Sequence, residues 1–495
     1  MTTLMNSDSI NAIPDEVKYV TETLESAGFE AYLVGGCVRD LLLNRIPKDW
    51  DITTNATPEQ IVEHFAKTFY ENRFGTVSVV NEQTEDSRLK VIEVTPYRVE
   101  STYSDNRRPD SVEFGTSLNN DLQRRDFTIN AIAYNISKGQ LIDPYKGQRD
   151  LAESTLRTVG DANVRFGEDA LRMLRAIRIS SELGFTISLE TMNAISSNNN
   201  LLKNIAIERI RDEFIKIIES PNPMTGIVVA QKLGVLQHIV PELEDGIGVE
   251  QNGDHIFTVW EHNLRSLQHA ADKGWPLHVK LAALFHDIAK PETRRWSKDK
   301  NDWTFYGHDV VGGKVTRNLM RRLKFSSDLT DTVSKLVRYH LFFSDVDKIT
   351  LSAVRRIIVN VGEENVWDLM KLRACDRIGM GRPKEKPYRL RKYHAMIEEA
   401  LRAPVSVGML KIDGRKIIDV THETPGKRIG YILNALLGET LDNPDLNNSE
   451  FLVKRAIELS KLPDKELIPL SDKGRLTQDE KEQEELKEIR KRHAV

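Results

Sequence analysis

Two aspartates one residue apart, Asp49 and Asp51 of KDWDI, lie among short β-branched runs. On a strand, side chains alternate between faces, so an Asp-x-Asp pair presents both carboxylates on one side. Such groups repel unless a cation lies between them. Mg²⁺ suits that role, because it is commonly shared between one or two carboxylates and substrate phosphates. Two ions about 3.5–4 Å apart activate an attacking hydroxyl and stabilise a departing pyrophosphate. Just upstream, AYLVGGCVRD ends an apolar run in Gly35 and Gly36. Glycines there let backbone N–H groups approach phosphate oxygens, and Arg39, one helical turn on, adds a charge-assisted contact. Each piece alone has a plain structural alternative, a solvated strand end or an ordinary turn. Together they point to phosphoryl or nucleotidyl transfer.

Further along, RRDFTINAIAYN places Arg125, Asp126 and Asn130 together, with Asp126 and Asn130 four residues apart. If a helix starts here, Asp126 is also a candidate N-cap. In EDALRMLRAIRIS, Asp169, Arg172, Arg175 and Arg178 recur at a spacing of three and share one helix face. As a solvated intrahelical pair, Asp169 and Arg172 contribute only a few tenths of a kcal/mol. Their chemistry suggests more. Cytosine and adenine each present an amino donor beside a ring-nitrogen acceptor, whereas guanine and uracil present the reverse. A carboxylate accepts from the amino group and a guanidinium donates to the ring nitrogen. One Asp–Arg pair therefore accepts C and A and rejects G and U, because a mismatch buries like groups face to face.

A second constellation follows. Eight of the twelve histidines fall between positions 238 and 340. His262, His286, Asp287 and Asp376 form a set of nitrogen and oxygen ligands fit for a divalent metal, and His308 and His340 extend it towards a second ion. Such an ion lowers the pKa of bound water and directs it at a phosphoester.

Positioning these groups requires several elements. The 495 residues imply about three or four domains. Residues 1 to 155 mix β-branched runs, among them Ile129 to Tyr134, with turn residues, which predicts a sheet with a few helices. The stretch from Thr95 to Val112 is poor in apolar residues and predicts a mobile loop carrying Arg98, Arg107 and Arg108. From Gly167 to about 460 the periodicity is helical, with breaks at SPNP, at GMGRPKEKP and at Ala403-Pro404. The charged end, KGRLTQDEKEQEELKEIRKRHAV, predicts a helix or a frayed tail. A 40% hydrophobic and 29% charged composition fits a globular protein; a net charge of -4 is compatible with a local basic face for nucleic acid. No apolar run approaches the roughly 20 residues that span a bilayer, and no signal peptide is evident, so no membrane association is expected. Only Cys37 and Cys375 are present, which points to free thiols in a reducing, cytoplasmic setting.

In this order, VGGCVRD, KDWDI, RRDFTINAIAY, DPYKGQRDL, GEDALRMLRAIRIS and ERIRDE resemble the motif series of the class II tRNA nucleotidyltransferases and their relatives, the bacterial poly(A) polymerases. The order H…HD…H…H…D resembles the HD-superfamily phosphohydrolases. The resemblance implies an α+β chain: a polymerase-β-like nucleotidyltransferase head with a small mixed sheet of five strands, then an all-α neck, HD body and tail. The corresponding boundaries are 1–155 for the head, 156–225 for the base-selecting neck, 226–400 for the HD body and 401–495 for an RNA-binding tail. It implies catalysis by Asp49 and Asp51 with Mg²⁺, and by Glu93 as the third carboxylate that deprotonates the RNA 3′-hydroxyl. Gly35, Gly36, Arg39, Arg125, Asp126 and Asn130 would grip the nucleotide. Asp169 and Arg172 would template the base, Arg175 and Arg178 would face triphosphate or base, and Arg209 and Glu213 would brace the helix. A loop near Arg98 to Pro109 would move the pair between C and A. His262, His286, Asp287, His308, His340 and Asp376 would hold Mn²⁺, Ni²⁺, Fe²⁺ or Mg²⁺. In PGKRIG, a glycine and Lys427-Arg428 would touch the phosphate backbone. The substrates would be CTP, ATP and the tRNA acceptor arm, with no obligate protein partner evident. The alternatives are a poly(A) polymerase, an enzyme adding only CC or only A, and an HD phosphohydrolase whose head merely binds RNA.

Overall fold

The computed structural model describes residues 10–70, 75–100, 112–114, 117–252, 255–342, 349–402 and 406–494. The described residues form two compact units. The first comprises residues up to 340 together with 371–383; the second comprises 341–370 and the chain from 384 on.

At the start of the first unit, apolar β-branched runs build a sheet. Its strands are β1 (Ala31–Val34), β2 (Asp51–Thr54), β3 (Thr68–Tyr70), β4 (Val77–Val80) and β5 (Val91–Pro96). After a separate ribbon of β6 (Arg98–Glu100) and β7 (Val112–Phe114), the chain adds β8 (Ala133–Asn135) and β9 (Gln140–Ile142). The order is β3-β4-β5-β2-β1-β8-β9, so the sheet has seven strands rather than five. Among the described strands of this sheet, only β2 and β5 pair in parallel, and their register sets Asp51 opposite Glu93. Leu33, Ile52 and Val94 are fully buried in this sheet, each burial contributing about 1.5–3 kcal/mol.

The expected strand over Ile129 to Tyr134 is shorter than its sequence suggests. Thr128–Asn130 is a 3₁₀ turn, and β8 begins only at Ala133. Tertiary contacts override the β propensity here. The Thr128 hydroxyl donates to Asp150 at 2.6 Å, and its N–H donates to the Arg157 carbonyl at 3.0 Å. Gly147, in DPYKGQRDL, meets the Thr128 carbonyl so closely that no Cβ fits between them. The expected loop after Thr95 is closed at its base by the β6–β7 ribbon; Arg107, Arg108 and residues 71–74 lie outside the described residues.

From Ala162 the chain is mostly helical, and the predicted breaks fall between helices: Ile207–Glu219 and Pro223–Lys232, Val366–Gly379 and Tyr388–Leu401. The second unit has its own core of Ile417, Ile432, Leu436, Leu452, Ala456, Leu459 and Leu467. Its charged end is a helix, Asp464–Arg492, crossing the Lys427–Asp442 helix where Gly438 meets Gly474 with no room for a Cβ. Arg428 of PGKRIG is committed to Glu423, to Asp464 and to the carbonyls of Ser460 and Leu462, so it clamps the unit internally rather than offering a phosphate contact. Lys427 remains exposed.

Candidate active site and metal centre

At the end of β1, Gly35 adopts φ +81°, a conformation that favours glycine, and the Gly36–Leu42 helix begins immediately after it. The position is also crowded. A Cβ on Gly35 would lie 3.2 Å from Nη1 of Arg125 and 3.5 Å from Oδ2 of Asp51. The glycine turn, a guanidinium and a strand carboxylate thus converge at one point. Asp51 starts β2, whereas Asp49 is exposed just before it rather than inside the strand. Burial pushes the Asp51 carboxyl up to about 6; Arg125 opposes this, while Asp49 and Glu93 raise it further. Three carboxylates therefore repel one another where a divalent cation would relieve them, and the all-oxygen set suits Mg²⁺. Cys37 packs beneath the turn, buried, with its thiol donating to the Val34 carbonyl at 3.3 Å; Cys375 is buried as well.

Two polar chains run from this turn to the helix Leu171–Leu183. In the first, Arg39 donates to Asn130 at 3.1 Å, Asn130 donates to Asp126 at 3.2 Å, and Arg175 grips Asp126 through two bonds of 2.8 and 2.6 Å. Asp126 caps no helix. Its buried carboxylate ties the 3₁₀ turn to the helix, and although burial disfavours its charge, Arg175 outweighs that and lowers the carboxyl to about 2. In the second, Arg125 donates to Asp121 at 3.1 Å, Asp121 also receives Arg124 at 2.7 Å, and the Arg124 carbonyl accepts from Arg172 at 3.0 Å.

The pair Asp169 and Arg172 is not an intrahelical salt bridge. Asp169 precedes the helix, accepts from the Leu171 N–H at 3.1 Å and is held by Arg209 at 3.0 Å. Arg172 pairs instead with Glu168 and with the Arg165 carbonyl. Each side chain is thus oriented separately, and each keeps hydrogen-bonding capacity. Arg209 braces as expected, and Glu213 does so through Arg178 at 2.7 Å. Arg178 is also paired with Glu182, so two carboxylates already claim it.

Sequence reasoning passed over Asp121 and Glu168. Their signals were present: Asp121 lies three and four residues before Arg124 and Arg125, and Glu168 lies four before Arg172. Asp121 is 0% exposed and also accepts from the Thr53 hydroxyl at 3.2 Å. Burial opposes its charge, and Arg125 and Arg124 outweigh that, holding the carboxyl below its ordinary range. Asp121→Ala leaves two part-buried guanidiniums without their carboxylate. It should cost about 3–5 kcal/mol, read as a lower midpoint for the head's unfolding in urea.

The second constellation also assembles. A capping box between Thr258 and Glu261 starts the Val259–Asp272 helix and sets His262 in its first turns. His262, His286 and Asp376 offer ligand atoms to one point, and Asp287, His308 and His340 to another; all six are buried. The Nε2 atoms of His262 and His286 lie 2.8 Å apart, and Asp287 is 3.2 Å from both His262 and His308. The Nδ1 groups of His286, His308 and His340 donate to the carbonyls of Ala283, Phe305 and Val337 at 2.9, 2.6 and 2.6 Å. Each Nε2 is thereby left as a lone pair pointing inward, and those of His308 and His340 face an Asp287 oxygen at 3.2 and 3.5 Å without a hydrogen bond. Burial drives His286 down to about 3, whereas Asp287 and Asp376 overcome burial at His262 and hold it up at about 9. Converging lone pairs and two carboxylates that stay ionised fit one or two divalent ions.

A mixed sheet with this carboxylate set and glycine turn defines a nucleotidyltransferase head joined to an HD-type metal centre. Family models agree: residues 31–157 match the "Poly A polymerase head domain", 184–247 the "Probable RNA and SrmB- binding site of polymerase A", and 259–374 the "HD domain". The chain is 47% identical over 458 residues to the CCA-adding enzyme of Ligilactobacillus salivarius, covering 91% of this chain and 98% of the relative. It is 32% identical to that of Enterococcus faecalis, over 90% and 97%. Among solved structures, the CCA-adding enzyme of Bacillus stearothermophilus in complex with CTP superposes with a TM-score of 0.59 at 26% identity, over 90% and 96% of the two chains. The Thermotoga maritima CCA-adding enzyme complexed with tRNA shares the fold, with a TM-score of 0.52 at 19% identity. The chain belongs to the CCA-adding enzyme family, the tRNA nucleotidyltransferases. No described helix is long and apolar enough to cross a membrane.

Proposed function

We propose that this protein completes the 3′ end of tRNA in the cytoplasm, adding C, C and A from CTP and ATP without a nucleic acid template. The observation that carries this reading is the convergence of Arg125 and Asp51 on the Gly35 turn, with two hydrogen-bonded chains leading from it to Arg172 and Arg175. In this reading Asp49 and Asp51 hold Mg²⁺, which when bound supplies charge neutralisation at the transferred phosphoryl group. Glu93, in register with Asp51, takes the proton from the RNA 3′-hydroxyl. Gly35, Gly36, Arg39 and Arg125 receive the triphosphate and ribose, with Asp126 and Asn130 fixing Arg39 and Arg175. Asp169 and Arg172 read the base edge from a frame that does not include the RNA, so no template strand is needed. Residues 1–155 then carry the chemistry, 156–225 the base choice and 401–495 the grip on the acceptor arm. The HD body, 226–400, would hold a transition metal or Mg²⁺ and hydrolyse phosphomonoesters or 2′,3′-cyclic phosphates.

Supplying tRNA that lacks its 3′ terminus with each labelled nucleoside triphosphate, singly and together, tests this reading. Two C and one A should be added, after which extension stops. Long A tails would instead establish a poly(A) polymerase, and arrest after CC, or addition of A to CC-ended tRNA alone, a partial enzyme.

A further inference from the structure

A two-stranded ribbon, Arg295–Ser297 paired with Asp302–Thr304, stands between the metal ligands His286-Asp287 and His308. Neither the nucleotide site nor the metal centre uses its exposed surface. Trp296 and Trp303 face each other across it, their rings 5.2 Å apart and nearly perpendicular, so Trp303 braces Trp296 edge-on. Trp303 is in turn covered by Arg294, 3.9 Å above its ring. Trp296 is 51% and Tyr306 73% exposed, the first braced by Trp303 and the second in contact with Lys300. The cations are as unusual as the aromatics. Arg294, Arg295, Lys298 and Lys300 cluster here, and none forms an ion pair with a carboxylate among the described residues; Lys300 donates to the Tyr306 hydroxyl at 2.7 Å. Elsewhere in this unit most arginines near the functional sites are paired with acidic side chains. Four cations that form no ion pair among the described residues, against the three acids Glu292, Asp299 and Asp302 of the same stretch, surround exposed rings, the combination that single-stranded nucleic acid uses: rings for base stacking and positive charge for phosphates.

The ribbon is also tied to the metal centre. The chain entering it carries Lys290, whose ammonium lies 2.6 Å from Asp287. The chain leaving it presents the Phe305 carbonyl to His308 Nδ1 at 2.6 Å. The chain on either side of the ribbon is thus anchored on residues of the metal centre.

We infer that this ribbon is a docking platform for the unpaired 3′ end of RNA, with Trp296 and Tyr306 stacking bases and Arg295, Lys298 and Lys300 meeting phosphates, so that the HD centre acts on RNA termini rather than on free nucleotides. The inference rests on the phosphohydrolase reading of that centre, and the two are separable by experiment. The probes are a short single-stranded oligoribonucleotide ending in a 2′,3′-cyclic phosphate and bis(p-nitrophenyl) phosphate, a diester with no nucleotide chain. Both are assayed with the full-length protein and added Mn²⁺ or Ni²⁺. Binding of the same oligonucleotide is measured by fluorescence anisotropy without metal.

Trp296→Ala with Tyr306→Ala should weaken oligonucleotide binding about tenfold and lower the ratio of RNA to diester hydrolysis by a similar factor. Arg295→Glu with Lys298→Glu, which leaves Trp303 beside Trp296 and Lys300 beside Tyr306, should weaken binding comparably and flatten its salt dependence. Unchanged oligonucleotide affinity in both double variants would overturn the platform. Hydrolysis of neither probe by the unmodified protein would instead overturn the phosphohydrolase reading, with the affinity change still reporting on the ribbon. If only one double variant loses affinity, the surviving contact class is removed from the proposal.

Discussion

Asp51→Ala is expected to lower nucleotide addition by roughly a thousandfold or more, because losing a metal ligand removes several kcal/mol of charge stabilisation in the transition state. Asp49→Ala should behave alike under the proposed sharing of one cation by the two residues. The electrostatics around Asp51 are strained. A carboxyl raised to about 6 beside two further carboxylates is poorly stabilised by the protein alone, with only Arg125 and the more remote Arg175 opposing the effect. The loss should fall on kcat, with CTP and ATP still bound through Gly36 and Arg39. Hydrolysis at the HD centre should persist in Asp51→Ala and disappear in His286→Ala, which in turn leaves CCA addition intact. Steady-state kinetics on both activities check this double dissociation. Equal loss of both activities in either variant would contradict two independent sites.

Asp169→Ala should have its largest effect on selectivity rather than rate. A well-formed pair of hydrogen bonds to a base edge contributes about 1–3 kcal/mol of discrimination, so preference for CTP and ATP over UTP and GTP should fall by about ten- to a hundredfold. The expected change is in the ratio of kcat/KM values, measured on tRNA primers ending one nucleotide short. Arg209 holds Asp169 at 3.0 Å from a neighbouring helix, so its removal should give a weaker version of the same phenotype. Full discrimination retained in Asp169→Ala would refute protein templating by this pair.

Much of the site was legible from residue types and spacing. The sequence reading brought out Gly35, Gly36, Asp51 and the six buried histidines and aspartates of the HD centre, and the structure brings each set together. The i, i+4 relation of Asp126 and Asn130 also produces a real contact, although through a 3₁₀ turn rather than a helix. Elsewhere local spacing misled. Asp169 and Arg172 sit at a pairing distance along the chain, yet each takes its partner elsewhere: Arg209 for one, Glu168 for the other. Arg428, exposed by composition, is consumed by four internal contacts.

Residue types alone marked out the candidate chemistry: a glycine turn beside two aspartates, an Asp–Arg pair suited to a base edge and a histidine–aspartate set suited to a metal. These follow from side-chain identity and short-range periodicity, which are properties of the local chain. Only the tertiary structure decided which groups act together. The parallel pairing of β2 with β5 sets Glu93 against Asp51, and that register depends on hydrogen bonds between strands some forty residues apart. Buried Asp121 joins the turn at Gly35 to Arg172 through two arginines, a link fixed by packing and by the cost of leaving a buried charge unpaired. The exposed face of Trp296 is likewise visible only in the tertiary structure, because tryptophan alone predicts burial, whereas here it is 51% exposed against its cross-strand partner Trp303.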